Sequence, residues 1–212
     1  RIHLETSSVL IRQHRLDYVR PHPAWPACRL GAPAPENGLV DIPAGHLRIG
    51  KEFSDTTYGW DNEYGMHQAD VPAFKAARHL VSNGEFLAFI DAGGYDDDSL
   101  WDDEGKAWKD FAKARHPTFW QGGRGNWKLR LMTEVVDMPW NWPVETNYHE
   151  ASAFCRWKAR TSGQAIRLPS EDEWYRLLAV TAIGELPDDT PGTANIHLDY
   201  WASACPVDRF AQ

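Results

Sequence analysis

Apolar positions early in the chain are spaced as on a helix. Over residues 1–19, Ile2, Val9, Leu10 and Leu16 are the apolar set, which predicts a helical stretch. No capping residue precedes it, and the end of the chain shows no clear terminus, so both ends are expected to be cut from a longer protein. Residues 20–38 hold five prolines and two glycines. Proline removes donors and fixes an extended backbone, so this stretch reads as a linker with a domain boundary near residue 38. From Leu39 the segment LVDIPAGHLRIG alternates and turns at Pro43–Gly45, which predicts a strand pair or hairpin. A loop containing YGWDNEYG follows, then VPAFKAARHLV, read as a second strand pair.

Three helices are then announced by capping boxes, in which an N-cap side chain and a Glu three residues on satisfy each other's free backbone donors. Ser82 with Glu85 opens the first, with Phe86, Phe89 and Ile90 as its apolar face and Gly93–Gly94 as its stop. Asn147 with Glu150 opens the second, with Ala151, Phe154 and Cys155 inward. Ser170 with Glu173 opens the third, with Trp174, Leu177 and Leu178 inward. The roughly fifty residues between the first two helices are dense in Trp, Gly and Pro and read as packed loops and short strands.

Composition narrows the function classes. The net charge is −8, so no basic surplus exists to neutralise phosphates, and neither nucleic acid nor an anionic membrane is expected as a partner. No apolar run approaches the roughly 18 residues of a transmembrane helix. Three widely spaced cysteines, Cys28, Cys155 and Cys205, fit neither a disulfide framework nor a zinc pair, and a reducing cytoplasm is expected. Eleven tryptophans suit a fold in which large rings cement long loops.

Candidate chemistry is sparse. Asp96, Asp97, Asp98, Asp102 and Asp103 form an acidic loop whose spacing does not match an EF-hand and which reads as a solvated face. His149 reads as a structural histidine at a helix start, with substrate contact as the alternative, Trp60–Asp61 as part of a packed loop or a pocket lining, and Cys155 as core. In RLPSEDEW, Ser170 caps and the three acidic residues sit at the positive end of the helix, which needs no catalytic role.

LVDIPAGHLRIG, SNGEFLAFI, YHEASAFCRW and RLPSEDEW, taken in this order, resemble the sulfatase-modifying-factor domain of formylglycine-generating enzymes. The resemblance implies an α+β fold of the C-type-lectin-like kind, here truncated. It would occupy residues 39–212, after a linker at 20–38 and the end of a DinB-like helix at 1–19. YGWDNEYG, FIDAGGY, HPTFW and MPWNWPVETNYHEA are similar to the sulfoxide synthases of thiohistidine biosynthesis. Met138–Trp142 and the opening RIHLETSS look most like the ovothiol synthase (5-histidylcysteine sulfoxide synthase) branch.

That resemblance implies a non-haem Fe(2+) held by three histidines, two of them from an HxxxHxE helix, with L-cysteine, L-histidine and O2 as substrates. His3-Leu4-Glu5 matches the end of the motif, so His3 is the expected iron ligand and Glu5 its orienting neighbour. The remaining ligands would lie before Arg1. The family's active-site tyrosine would lie beyond Gln212, so Tyr200 is not assigned to it. Cys205 has no recognisable partner for a formylglycine-generating pair. Three alternatives stay open: an ergothioneine synthase acting on trimethylhistidine, a copper-dependent formylglycine-generating enzyme, and a non-catalytic lectin-like binding module.

Overall fold

The structure, a computed structural model, describes residues 2–181, 194–196 and 200–210. Its elements run α1 (Ile2–Ile11), β1 (Leu39–Ile42), β2 (Gly45–Ile49), β3 (His67–Val71), β4 (Phe74–Ala77), α2 (Asn83–Asp91), α3 (Asp103–Ala112), β5 (Trp120–Gln121), β6 (Lys128–Arg130), β7 (Val135–Asp137), α4 (Tyr148–Ser162) and α5 (Glu171–Val180), an α+β mixture. Among the described residues no helix is long and apolar enough to cross a membrane. The chain divides into two compact units, one drawn from residues 1–37, 79–168 and 194–211, the other from 38–78 and 169–193.

In the first unit the two expected capping boxes set the helix starts. Ser82 Oγ accepts the Glu85 amide and the Glu85 carboxylate accepts the Ser82 amide, both at 3.2 Å. Asn147 and Glu150 exchange the same pair of bonds at 3.0 Å. The α2 face then buries Phe86 and Phe89 against Phe154 of α4, with ring centroids 5.4 and 6.0 Å apart. Each such ring contributes about 1.5–3 kcal/mol of burial. Glu150 has a second task. At 2% exposure it accepts a bond from the Tyr95 hydroxyl at 2.6 Å. Burial pushes the Glu150 carboxyl above the usual carboxylate range, and burial beside that carboxylate raises the Tyr95 phenol.

Two expectations for this unit are corrected. The N-terminal helix covers Ile2–Ile11 rather than residues 1–19, because Arg15 is already extended ahead of a separate 3-10 turn at Leu16–Tyr18. The stretch read as irregular contains α3, and the acidic loop is its start. Asp102 Oδ1 accepts the Gly105 amide at 2.8 Å, and Asp103 and Glu104 fill the first turn. Asp97 caps the preceding 3-10 turn Asp98–Leu100, and Asp98 holds the buried Lys109 ammonium at 2.6 Å. These carboxylates serve helix ends and cations of the fold.

The sheet β5-β6-β7 is antiparallel, with Leu129 opposite both Trp120 and Val136. Its apolar cluster joins Trp120, Leu129, Leu131, Met138 and Trp142 to Cys28 of the proline-rich segment. That segment lies in the packed unit: the Trp142 indole donates to the Leu30 carbonyl at 2.8 Å, and the Cys28 amide to Ser203 Oγ at 2.9 Å. Its prolines suit a strand-like path whose amides need few ladder partners.

The second unit corrects the hairpin expected at Pro43–Gly45. β1 pairs with β4 and β2 with β3, both antiparallel and in one continuous register, Ile42 opposite Phe74 and Gly45 opposite Val71. The two strand pairs expected from sequence are therefore one long, broken ribbon. Pro43 and Pro72 stand at the break, where neither has an N–H to donate. Arg176 of α5 occupies it instead, donating from Nε to the Pro43 carbonyl at 2.8 Å and from Nη2 to the Ala44 carbonyl at 3.2 Å. A Cβ on Gly45 would come within 2.5 Å of Arg176 Cζ, so glycine leaves room for that guanidinium. Trp174 was expected inward but is 52% exposed. Two residues span about 200° of a helix, so turning Arg176 to the ribbon turns Trp174 away.

Two outcomes follow for the first unit. Tyr95→Phe removes the donor to a buried carboxylate and is expected to cost about 1–3 kcal/mol in urea unfolding. The raised folded-state pKa of Glu150 means that the native state holds its proton more firmly. That contribution to stability is full below the unfolded pKa and is lost as pH rises through the folded one. Glu150→Gln keeps the cap acceptor without the titration. Its stability relative to the parent chain is therefore expected to improve as pH rises above the ordinary carboxylate value of about 4. A pH-independent difference would refute this role.

Candidate functional site

The first unit contains a cavity of about 300 Å3 whose wall includes Val9, Arg12, Leu129, Met132, Glu145 and Trp201. Arg12 follows directly on the last residue of α1, so the helix end delivers it to the cavity. Leu129 is carried by β6, and Glu145 by the connection between β7 and α4. Trp201 belongs to a segment held by Asn195, which donates to the Ser203 carbonyl at 2.8 Å and accepts the Trp201 amide at 3.2 Å.

Arg12 dominates the electrostatics. Its side chain is 9% exposed, and its guanidinium lies 3.6 Å from the centroid of the Phe119 ring. Nε donates to the Arg130 carbonyl at 2.8 Å, and Nη1 reaches the two Glu145 oxygens at 2.7 and 2.6 Å. Nη2 is buried and meets no acceptor. Arg130, also buried, donates to the carbonyls of Leu131, Met132 and His14. Burial and the neighbouring Arg12 charge hold the Arg130 pKa below its ordinary value. Arg12 thus pairs with the Glu145 carboxylate while Arg130 is met by backbone carbonyls, and Arg12 Nη2 is left buried without an acceptor. The cavity wall sets this buried ion pair beside apolar Leu129, Leu131, Met132 and Trp201 and polar Asn195 and Ser203.

The residues singled out from sequence lie elsewhere or have other tasks. His3 is exposed on α1; the side chain of Glu5 lies outside the described residues. Among the described residues no three His, Cys, Asp or Glu side chains come together as a metal site, so the residues present do not by themselves fit an iron centre. His149 stacks on Trp108 at 6.0 Å with its Nδ1 4.0 Å from Asp102, too far for a hydrogen bond, so that nitrogen has no partner. Trp60 is exposed at the cap of a 3-10 turn, Asp61–Glu63. Cys28, Cys155 and Cys205 are free thiols, and burial raises the Cys205 pKa to about 11, far from a reactive thiolate. The Tyr200 hydroxyl is buried without a partner.

A larger concavity of about 410 Å3 in the second unit is lined by Arg48, Lys51, Glu52 and Asp55. There Arg48 meets Glu52 at 2.8 Å and Lys51 meets Asp55 at 3.8 Å, which leaves no unmet charge to recruit a ligand. Sequence reasoning missed Arg12, Arg130 and Glu145. Each looks like an ordinary surface charge, and Arg12 and Glu145 are 133 positions apart.

The sulfatase-modifying factor enzyme 1-like domain family matches residues 30–185, which leaves α1 with His3 and Arg12 ahead of the match. Hercynine oxygenase of Mycobacterium tuberculosis is 33% identical over 77% of this chain and 35% of its own length. That of Mycolicibacterium thermoresistibile is 35% identical over 77% and 33%. Formylglycine-generating enzyme of Mycobacterium tuberculosis is 27% identical over 81% of this chain and 67% of its own. The chain spans about a third of the length of the two hercynine oxygenases.

Glu145→Ala would leave the Arg12 guanidinium buried with fewer acceptors. It is expected to lower unfolding stability by about 1–3 kcal/mol, read from denaturant midpoints. Unchanged midpoints would show that the pair contributes nothing to the fold.

Proposed function

The chain belongs to the sulfatase-modifying factor enzyme 1-like domain family, and on that premise we propose that it is a section of an oxygen-dependent oxidoreductase of the sulfoxide synthase type. The reaction joins the sulfur of L-cysteine to the imidazole of L-histidine with O2. The observation that carries this reading is similarity to hercynine oxygenases over 77% of the chain. It is supported by the opening His3-Leu4-Glu5 and the MPWNW stretch. His3 would supply one imidazole to Fe(2+), with the other ligands coming from residues outside this chain. When bound, the metal supplies the oxygen chemistry. This chain's own share is a capped, aromatic-cored unit that holds the end of the His3 helix through Arg12, so that His3 sits on a fixed backbone.

A second reading is favoured by the relatives' own name: hercynine, the trimethylammonium form of histidine, in place of histidine itself. One experiment separates the two. The full-length protein is given ferrous iron, L-cysteine, oxygen and either L-histidine or hercynine, and products are identified by mass spectrometry. A histidine–cysteine sulfoxide, abolished by His3→Ala, is the expected result. Conjugate with hercynine alone selects the second reading, and no conjugate with either overturns both.

A further inference from the structure

Tyrosine and tryptophan are the aromatic side chains that lose an electron most easily, and electrons pass most readily between rings in contact. Three such rings form a row in the first unit. The Tyr95 ring centroid lies 5.5 Å from that of Trp101, and Trp101 stacks on Trp108 at 6.3 Å. Tyr95 and Trp101 are buried, whereas Trp108 is half-buried and so reaches solvent. The inner end of the row meets a base. The Tyr95 hydroxyl donates to Glu150 Oε1 at 2.6 Å and the Asn147 amide donates to Oε2 at 3.0 Å, so both oxygens accept, as in a carboxylate. Burial makes that carboxylate a stronger base and keeps the phenol protonated until an electron leaves.

Other buried rings lack this provision. The Trp101 indole donates to the Gly94 carbonyl at 2.9 Å, a group that takes up no proton, and the Lys109 ammonium stands 5.3 Å from its ring, where it repels a positive charge. Nε1 of Trp120, Nε1 of Trp127 and the Tyr200 hydroxyl are buried without an acceptor. Trp101 is therefore a stepping stone, and Tyr95 is where an oxidising equivalent comes to rest.

We propose that Tyr95 is a redox-active tyrosine with Glu150 as its proton acceptor, reached from solvent through Trp108 and Trp101. A one-electron oxidant in solution, such as an oxygen-derived radical, takes an electron from Trp108. Trp101 refills Trp108, and Tyr95 refills Trp101. As Tyr95 loses its electron its O–H bond breaks and the proton passes to Glu150 Oε1. The balance is one oxidant reduced by one electron, one neutral phenoxyl radical on Tyr95 and one neutral carboxyl on Glu150. Neither product is charged, so the step also relieves the carboxylate charge that burial penalises. It uses no iron and stands if the reaction proposed above fails.

Flash photolysis of the full-length protein with a ruthenium(II) polypyridyl complex and persulfate supplies such an oxidant, and electron paramagnetic resonance reads the radical. A neutral tyrosyl signal is expected that outlives those of exposed tyrosines, because solvent reductants cannot touch it. Its formation should slow in D2O, since an O–H bond breaks in the same step. Tyr95→Phe should lose the long-lived signal, and Trp108→Phe should delay its appearance. Glu150→Gln keeps the cap acceptor but takes up no proton, and should lose the long-lived signal too. His3→Ala should retain it. The proposal is overturned by the absence of a long-lived tyrosyl signal in the parent chain, or by its survival in folded Tyr95→Phe. Should that variant fail to fold, an undiminished signal in Glu150→Gln decides against the proton acceptor, and an undelayed one in Trp108→Phe against the route.

Discussion

The Arg12 guanidinium is the constraint on which the first unit turns. A charge withdrawn from water must find bonded partners. It finds the Arg130 carbonyl, the Glu145 carboxylate and the face of Phe119. Those partners come from the end of β6, the approach to α4 and the residue just before β5. One side chain thus ties the end of α1 to three remote segments. An arginine–aromatic contact of this kind is worth about 0.5–2 kcal/mol beyond its ionic partner.

Around that tie the unit is held by economy of polar groups. Glu150 completes the α4 capping box and also receives the Tyr95 hydroxyl, so one buried carboxylate fixes both a helix start and the loop after α2. Lys109, buried on α3, donates to the Tyr95 carbonyl at 2.8 Å and lies 5.3 Å from the Trp101 ring. Polar groups inside the aromatic core are satisfied here by backbone carbonyls as well as by each other. The second unit follows the same logic on a smaller scale, with Arg176 supplying the donors that two prolines cannot.

The capping boxes at Ser82, Asn147 and Ser170 were legible in the sequence because an N-cap and its Glu lie within one turn. The inward faces of α2 and α4 were legible for the same reason, since residues three and four apart share a side. The start of α3 used the same signal, an Asp before acidic residues, but a run of aspartates reads equally as a solvated loop. The candidate site was not legible. His3 was singled out and is exposed, whereas Arg12, a short way along the chain, carries the buried charge.

What the sequence by itself determined is therefore what depends on spacing of a few residues: helix starts, apolar faces, strand-like alternation and the family to which the chain belongs. Tertiary structure alone decided which strands pair, because alternation marks a strand without naming its partner, and prolines placed opposite each other's neighbours break a ladder without ending it. It alone decided the fate of the charges too. An arginine is solvated or buried according to what a distant segment brings to it, and Glu145 reaches Arg12 only once the chain has folded.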